Sequence, residues 1–206
     1  MRLVTLVALM AIASAACDDS PTAPPTRAYI DARVVDLTSG KLGSPFPAPP
    51  FTGTLSGNFA ASIWDGSRWV SLGSPNGITV VMRVHVANTS AVPATVHGEQ
   101  SAPLGSYNRV RLVLQGVTAS IEAGSGFGGI TLSTDATFRL GGSDHYVELS
   151  DSVAPFSLAH DPSVRRVIVF DLDSETWLTS SVAQSGQVED AALQAAFSAF
   201  TSLESR

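Results

Sequence analysis

The feature that most constrains the fold is a succession of short segments rich in β-branched and aromatic residues, each closed by Gly, Pro, Asn or Asp. In Asn108-Arg109-Val110-Arg111-Leu112-Val113-Leu114, the residues Val110, Leu112 and Leu114 fall on one face of an extended chain, and Arg109, Arg111 and Val113 fall on the other. A period of two marks a half-buried strand, because successive side chains of an extended backbone point to opposite sides. The same reading places strands over 29–37, 52–64, 68–72, 78–87, 94–99, 107–118, 130–132, 137–140, 145–149, 156–159 and 164–171. The mostly apolar run Val164–Phe170 predicts a central strand covered on both sides. Residues 40–50, with Pro45, Pro47, Pro49 and Pro50, predict a loop, because proline breaks helices and sheet interiors alike.

The period changes at the end of the chain. Leu193, Phe197 and Phe200 recur at i, i+4 and i+7 beside Ala192, Ala196 and Ala199, behind Glu189 and Asp190 and ahead of Arg206. That spacing and charge order predict one amphipathic helix over 188–203. Turn signals about every 8–12 residues argue for an antiparallel two-sheet sandwich of roughly seven to nine strands carrying that helix, with a closed β-barrel as the alternative.

The other end reads as an export signal. Met1-Arg2 is followed by an uncharged apolar run that finishes in small residues at Ala13-Ser14-Ala15-Ala16. The run is shorter than the roughly 20 apolar residues of a membrane span. The chain's one cysteine, Cys17, comes directly after it. Ser14-Ala15-Ala16-Cys17 resembles the lipobox of bacterial lipoproteins, with Ser14 where that motif usually carries leucine. The resemblance implies that Cys17 becomes residue one of the mature protein and carries a diacylglyceryl thioether. Ordinary cleavage after Ala16 also satisfies the small-x-small pattern of Ser14 and Ala16, so both outcomes stay open. Asp18-Asp19-Ser20-Pro21-Thr22-Ala23-Pro24-Pro25-Thr26 reads as a polar, proline-rich tether. The organisation expected is a signal at 1–16, lipidated cysteine and tether at 17–27, and a single domain at 28–206.

Charge removes one class of function. The chain carries 12 basic and 18 acidic residues, for a formal charge of −6, and its only close arginines are Arg165-Arg166 and the spaced Arg109 and Arg111. A nucleic-acid binder needs a positive stripe to exchange for counterions, and none is written here. A lone cysteine also leaves no intrachain disulfide to staple the domain, so an ordinary hydrophobic core must hold it.

Trp69-Val70-Ser71-Leu72, then Leu104-Gly105-Ser106-Tyr107-Asn108-Arg109-Val110-Arg111-Leu112 and the late Val169-Phe170-Asp171-Leu172-Asp173, resemble bacterial envelope lipoproteins carrying an uncharacterised prealbumin-like sandwich domain. The resemblance covers about half of the domain. It implies a fold and a location and carries no activity.

The candidate chemistries are thin. Gly124-x-Gly126-x-x-Gly129 matches a dinucleotide fingerprint in spelling, but Ile130-Thr131-Leu132 behind it reads as a strand where a helix N-terminus is required, so a loop is expected. Asp171, Asp173 and Glu175 alternate at a strand end and suggest a calcium site, yet Thr176 and Val182 stand where a calcium loop needs glycine and glutamate. His85, His97, His145 and His160 are dispersed, without metal-ligand spacing. Ser143-Asp144-His145 gathers the residue types of a catalytic triad, but triads converge through folding and not by adjacency. Asn88-Thr89-Ser90 spells a glycosylation acceptor that means nothing in a bacterial lipoprotein.

Trp64-Asp65-Gly66-Ser67-Arg68-Trp69 is the clearest hairpin signal, because Asp-Gly favours a tight reversal. A four-residue loop sets Trp64 and Trp69 face to face. The expectation is that both rings, or at least Trp69, cover the core; the alternative is that they stack on a sugar or on a partner's cation. The function read from these features is a lipid-anchored envelope protein, membrane-bound through Cys17, without cofactor. It acts as a non-catalytic structural or interaction module binding a protein or glycan. The rival is an envelope hydrolase or a metal-dependent binding protein.

Overall fold

The computed structural model describes residues 27–37, 51–84, 92–127, 130–140, 146–178 and 180–206. Cys17, the tether, the proline-rich segment 40–50, Asn88-Thr89-Ser90, Gly129 and Ser143-Asp144-His145 lie outside them. Thirteen strands run, in order, as β1 (Arg27–Val35), β2 (Phe51–Trp64), β3 (Trp69–Ser71), β4 (Asn76–Val84), β5 (Ala94–Pro103), β6 (Gly105–Ile121), β7 (Gly126–Phe127), β8 (Ile130–Thr131), β9 (Ala136–Leu140), β10 (Tyr146–Leu158), β11 (Val164–Leu172), β12 (Gln187–Val188) and β13 (Phe197–Ser205). Three short helices, α1 (Ser174–Trp177), α2 (Ser180–Ser185) and α3 (Asp190–Ala196), sit between β11 and β13.

Two sheets carry the architecture. One has four strands in the order β13-β11-β1-β5; the other has seven, with β12-β9-β6-β2-β3 as its path, β10 added on β6 and β4 on β2. Neither closes into a barrel among the described residues. Ile30, Ala32, Val34, Ile168 and Phe170 of the first sheet and Leu55, Phe59, Ile63, Leu112 and Leu114 of the second belong to one contiguous core. The alternation read at 108–114 is the reason: Val110, Leu112 and Leu114 are buried while Arg109 is exposed.

Contacts at two places help to tie the sheets together. The chain passes from one to the other at the β5–β6 corner, where the Tyr107 hydroxyl donates back to the Pro103 carbonyl at 2.8 Å and Phe156 stacks on the Tyr107 ring. A buried hydroxyl so placed fixes the corner and satisfies its own polar group. Between the sheets, the His97 Nε2 of β5 accepts the backbone N–H of Ala61 in β2 at 3.3 Å. Position 73 must be glycine for the same reason, since a Cβ there would stand 2.8 Å from the His97 Nδ1.

Three expectations are corrected. The helix expected over 188–203 spans only Asp190–Ala196, and Phe197–Ser205 is strand β13, antiparallel to β11 from Leu172↔Phe197 to Val164↔Ser205. Local spacing suits a helix there, but β11 has an open edge opposite β1, and nine residues of ladder outweigh a weak helical preference. The pairing is also not wholly antiparallel: β1 runs parallel to β11, and β12 to β9. The two strands expected at 145–149 and 156–159 are one, β10, paired along β6 with an irregularity between Ser152 and Phe156. Gln194 of α3 reaches β10, donating to the Ser150 carbonyl at 3.1 Å and accepting its N–H at 3.4 Å. This covers part of a sheet edge that would otherwise invite pairing.

Candidate functional site

The Trp64–Trp69 hairpin forms as the sequence predicts, with Ser62↔Ser71, Ile63↔Val70 and Trp64↔Trp69 in register. Its turn is built by Asp65 and Gly66. The Asp65 backbone N–H donates to the Arg68 carbonyl, and its carboxylate accepts the Ser67 and Arg68 N–H groups, both at 2.9 Å. Those backbone donors, with the Ser67 hydroxyl, hold the Asp65 carboxyl at about 2, well below the usual carboxylate range. Gly66 takes φ +98°, a left-handed conformation that a side chain would resist.

The indoles do not cover the core. Ile63 points inward and is fully buried; Trp64 and Trp69 alternate to the outer face, are half-buried, and stand outside the core cluster. Their ring centroids are 5.4 Å apart at 62°, an edge-to-face pair. Ile63 pairs with Val110 of β6, so the next outward residues on that strand arrive beside the indoles. The Arg109 guanidinium lies 5.6 Å from the Trp64 ring centre and 5.3 Å from that of Trp69, and the Arg111 guanidinium lies 4.6 Å from Trp69. Arg111 also meets Glu148 of β10 at 3.3 Å. Arg109 has no carboxylate partner among the described residues, and Arg68 at the hairpin tip is exposed. Two aromatic faces thus hold two guanidiniums in place, and one of those charges is unspent.

Sequence reading missed this arrangement. In the sequence, Arg109 and Arg111 mark the outward face of a strand and argue against a basic stripe, with nothing to link them to the two indoles. Their outward alternation was legible, but the strand register that sets them beside Trp64 and Trp69 was not.

The other candidates are tied into the fold. Asp171 accepts the Leu37 N–H at 2.8 Å, and Asp173 caps α1 by accepting the Glu175 N–H and the Thr176 hydroxyl. Buried Asp36 accepts the Ser174 N–H at 3.0 Å. The chain turns into α1 at Ser174, which ends the strand alternation that would have aligned three carboxylates. No group of three metal-ligating side chains assembles among the described residues. Burial pushes the Asp171 carboxyl up to about 6; the Leu37 hydrogen bond opposes this, and the Asp36 and Asp173 carboxylates add to it. Burial likewise holds the His97 ring below its ordinary value, in the neutral form that can accept from Ala61. His160 contacts the Arg27 carbonyl at 3.3 Å, and His85 and His145 lie outside the described residues.

Open concavities lie at two further places on the described surface. One, of about 740 Å³, is bordered by Gly53, Thr54, Ser120, Glu122, Asp135 and Thr137; its Asp135 is bonded to the Ala123 N–H. The other, of about 370 Å³, lies over Asp31, Arg33, Thr95, Glu99 and Arg165. Here the charges are mutually satisfied, since Arg33 and Arg165 each meet both Asp31 and Glu204 within 3.5 Å. No helix among the described residues is long and apolar enough to cross a membrane. Comparison with family models, with curated proteins and with solved structures returns no match for this chain.

Proposed function

We propose that this chain is a lipid-anchored envelope protein whose folded part is a two-sheet, prealbumin-like sandwich. It serves as a non-catalytic structural or interaction module, meeting a protein or glycan partner through Trp64, Trp69, Arg109 and Arg111. The observation that carries the reading is Arg109, a cation seated on two half-buried indoles with no carboxylate partner among the described residues. Aromatic residues and arginine are the side chains enriched at binding hot spots, because they combine contact area with directed hydrogen bonds. The single core shared by both sheets supports the sandwich, and the lone Cys17 behind a small-residue run supports the anchor. Among the described candidates, Asp171 accepts the Leu37 N–H, Asp173 caps α1 and His97 holds a contact between the sheets.

The test has two parts. Cys17→Ser is expected to abolish incorporation of labelled fatty acid and to release the chain from the membrane fraction; a mutant that partitions like wild type contradicts the anchor. Adding isolated envelope glycan is expected to shield indole emission from a neutral quencher in the wild type and not in Arg109→Ala. Equal shielding in both contradicts the proposed surface.

A further inference from the structure

The aromatic–cation surface lies at the end of the molecule where the tether enters. Arg27, the first described residue, pairs with Pro103, and the Pro103 carbonyl accepts the Tyr107 hydroxyl. That hydroxyl lies within electrostatic reach of both Arg27 and Asp65, the residue that opens the Trp64–Trp69 turn. Arg109 follows Tyr107 by two positions on β6, and Leu104, 39% exposed, sits on the same corner. The hairpin tip, Arg109 and Leu104 therefore share one end with the point where residues 17–26 join the fold. Fully extended, those residues reach at most about 35 Å, so an anchor at Cys17 keeps this end facing the membrane surface.

The chemistry of the surface defines what it takes. A guanidinium held against aromatic rings by cation–π attraction still carries its N–H donors, and their fork matches two oxygens of one oxyanion. The half-buried indoles and, at the same corner, Leu104 add exposed apolar surface, suited to the interfacial layer where amphipathic aromatics settle. A chain of formal charge −6 is not drawn to an anionic surface from afar. Tethering removes that need, because a short link raises the local concentration of its surface to about the millimolar range, where a weak site fills.

We propose that the partner of this surface is the phosphate-bearing sugar headgroup of a lipid in the same membrane that holds the Cys17 anchor. Arg109 takes the phosphate, and Trp64 and Trp69 lie against the sugar. The inference rests on the reading of Cys17 as the anchor and of this face as the contact surface.

The experiment uses the full lipidated chain in phosphatidylcholine vesicles, plain or doped with a diphosphorylated glucosamine-disaccharide lipid, with phosphatidylglycerol at equal charge, or with a neutral galactolipid. Flotation reports the anchor, and acrylamide quenching of indole emission reports docking. Trp177, fully buried, gives a constant background and a check on folding through its near-ultraviolet dichroism.

The expected result is shielding of Trp64 and Trp69 with the phosphorylated glycolipid alone. Arg109→Ala is expected to require about five- to tenfold more of that lipid for the same shielding. Arg109→Lys, which keeps the charge and loses the fork, should also fall short of wild type. Equal shielding by phosphatidylglycerol overturns the proposal in favour of bare charge, and shielding by the galactolipid removes the phosphate from it. Shielding by soluble polygalacturonate in place of the lipid overturns the membrane source while keeping the contact surface. No shielding by any of these overturns both. Failure to float on any vesicle overturns the anchor, and shielding on adding the phosphorylated vesicles would then still report the headgroup site.

Discussion

The two sheets treat arginine in opposite ways. On the outer face of the four-stranded sheet, Arg33 and Arg165 are shared between buried Asp31 and Glu204, and Asp31 also accepts the Glu99 N–H at 2.7 Å. On the outer face of the seven-stranded sheet, Arg109 and Arg111 lie on indoles, and of the two only Arg111 meets a carboxylate among the described residues. A guanidinium neutralised by two carboxylates has little left to offer a ligand. One stacked on aromatic rings keeps its charge and its hydrogen-bond donors, at an energy of only about 0.5–2 kcal/mol. The first face holds the fold together and the second is available for contact.

That difference can be broken by substitution. Asp31→Ala is expected to destabilise by about 3 kcal/mol, because it leaves two partly buried guanidiniums with one carboxylate and strips the Glu99 N–H of its acceptor. Glu204→Ala, at the exposed side of the same network, should cost under about 1 kcal/mol; denaturant melts of the pair check both. Trp69→Ala should cost about 1–2 kcal/mol, since the ring is half-buried on an outer face. A loss in the range of about 3–5 kcal/mol, as for a core tryptophan, would mean that the hairpin packs inward.

The remaining effects are those of pH. His97 is held neutral in the fold, so unfolding takes up a proton below its ordinary value of 6.5, and this contribution to stability is lost as pH falls through that range. Asp171 works the other way. Its folded value of about 6 exceeds the unfolded 3.8, so the native state binds the proton first and stability rises as pH falls from about 6 toward 4. Melting temperatures between pH 4 and 8 should therefore rise more on acidification for His97→Gln than for wild type, and should fall more for Asp171→Asn.

Much of this was legible residue by residue. The alternation of Val110, Leu112 and Leu114 gave β6 its buried face, and Asp65-Gly66 gave the hairpin and its register. Two things escaped for one reason, that pairing between distant strands leaves no local mark. Phe197 and Phe200 keep helical spacing, yet they lie in β13 because β11 offers an edge. Asp31 and Arg33 are far in sequence from Arg165 and Glu204, and meet them only because β1 and β13 flank β11. The outward face of Trp69 was misread for a different reason. A period of two tells which residues share a face, but Val70 and Leu72 had to be assigned to the core before Trp69 could be assigned away from it.

The central claim, that Trp64 and Trp69 form an open surface while Trp177 does not, is tested most directly by quenching indole emission in the wild type and in the Trp64→Phe/Trp69→Phe double variant. The account predicts that acrylamide quenches most of the wild-type emission, and that the variant's remaining Trp177 emission is nearly unquenchable at an unchanged melt. Emission equally shielded in both proteins, or readily quenched after both outer indoles are gone, would contradict it.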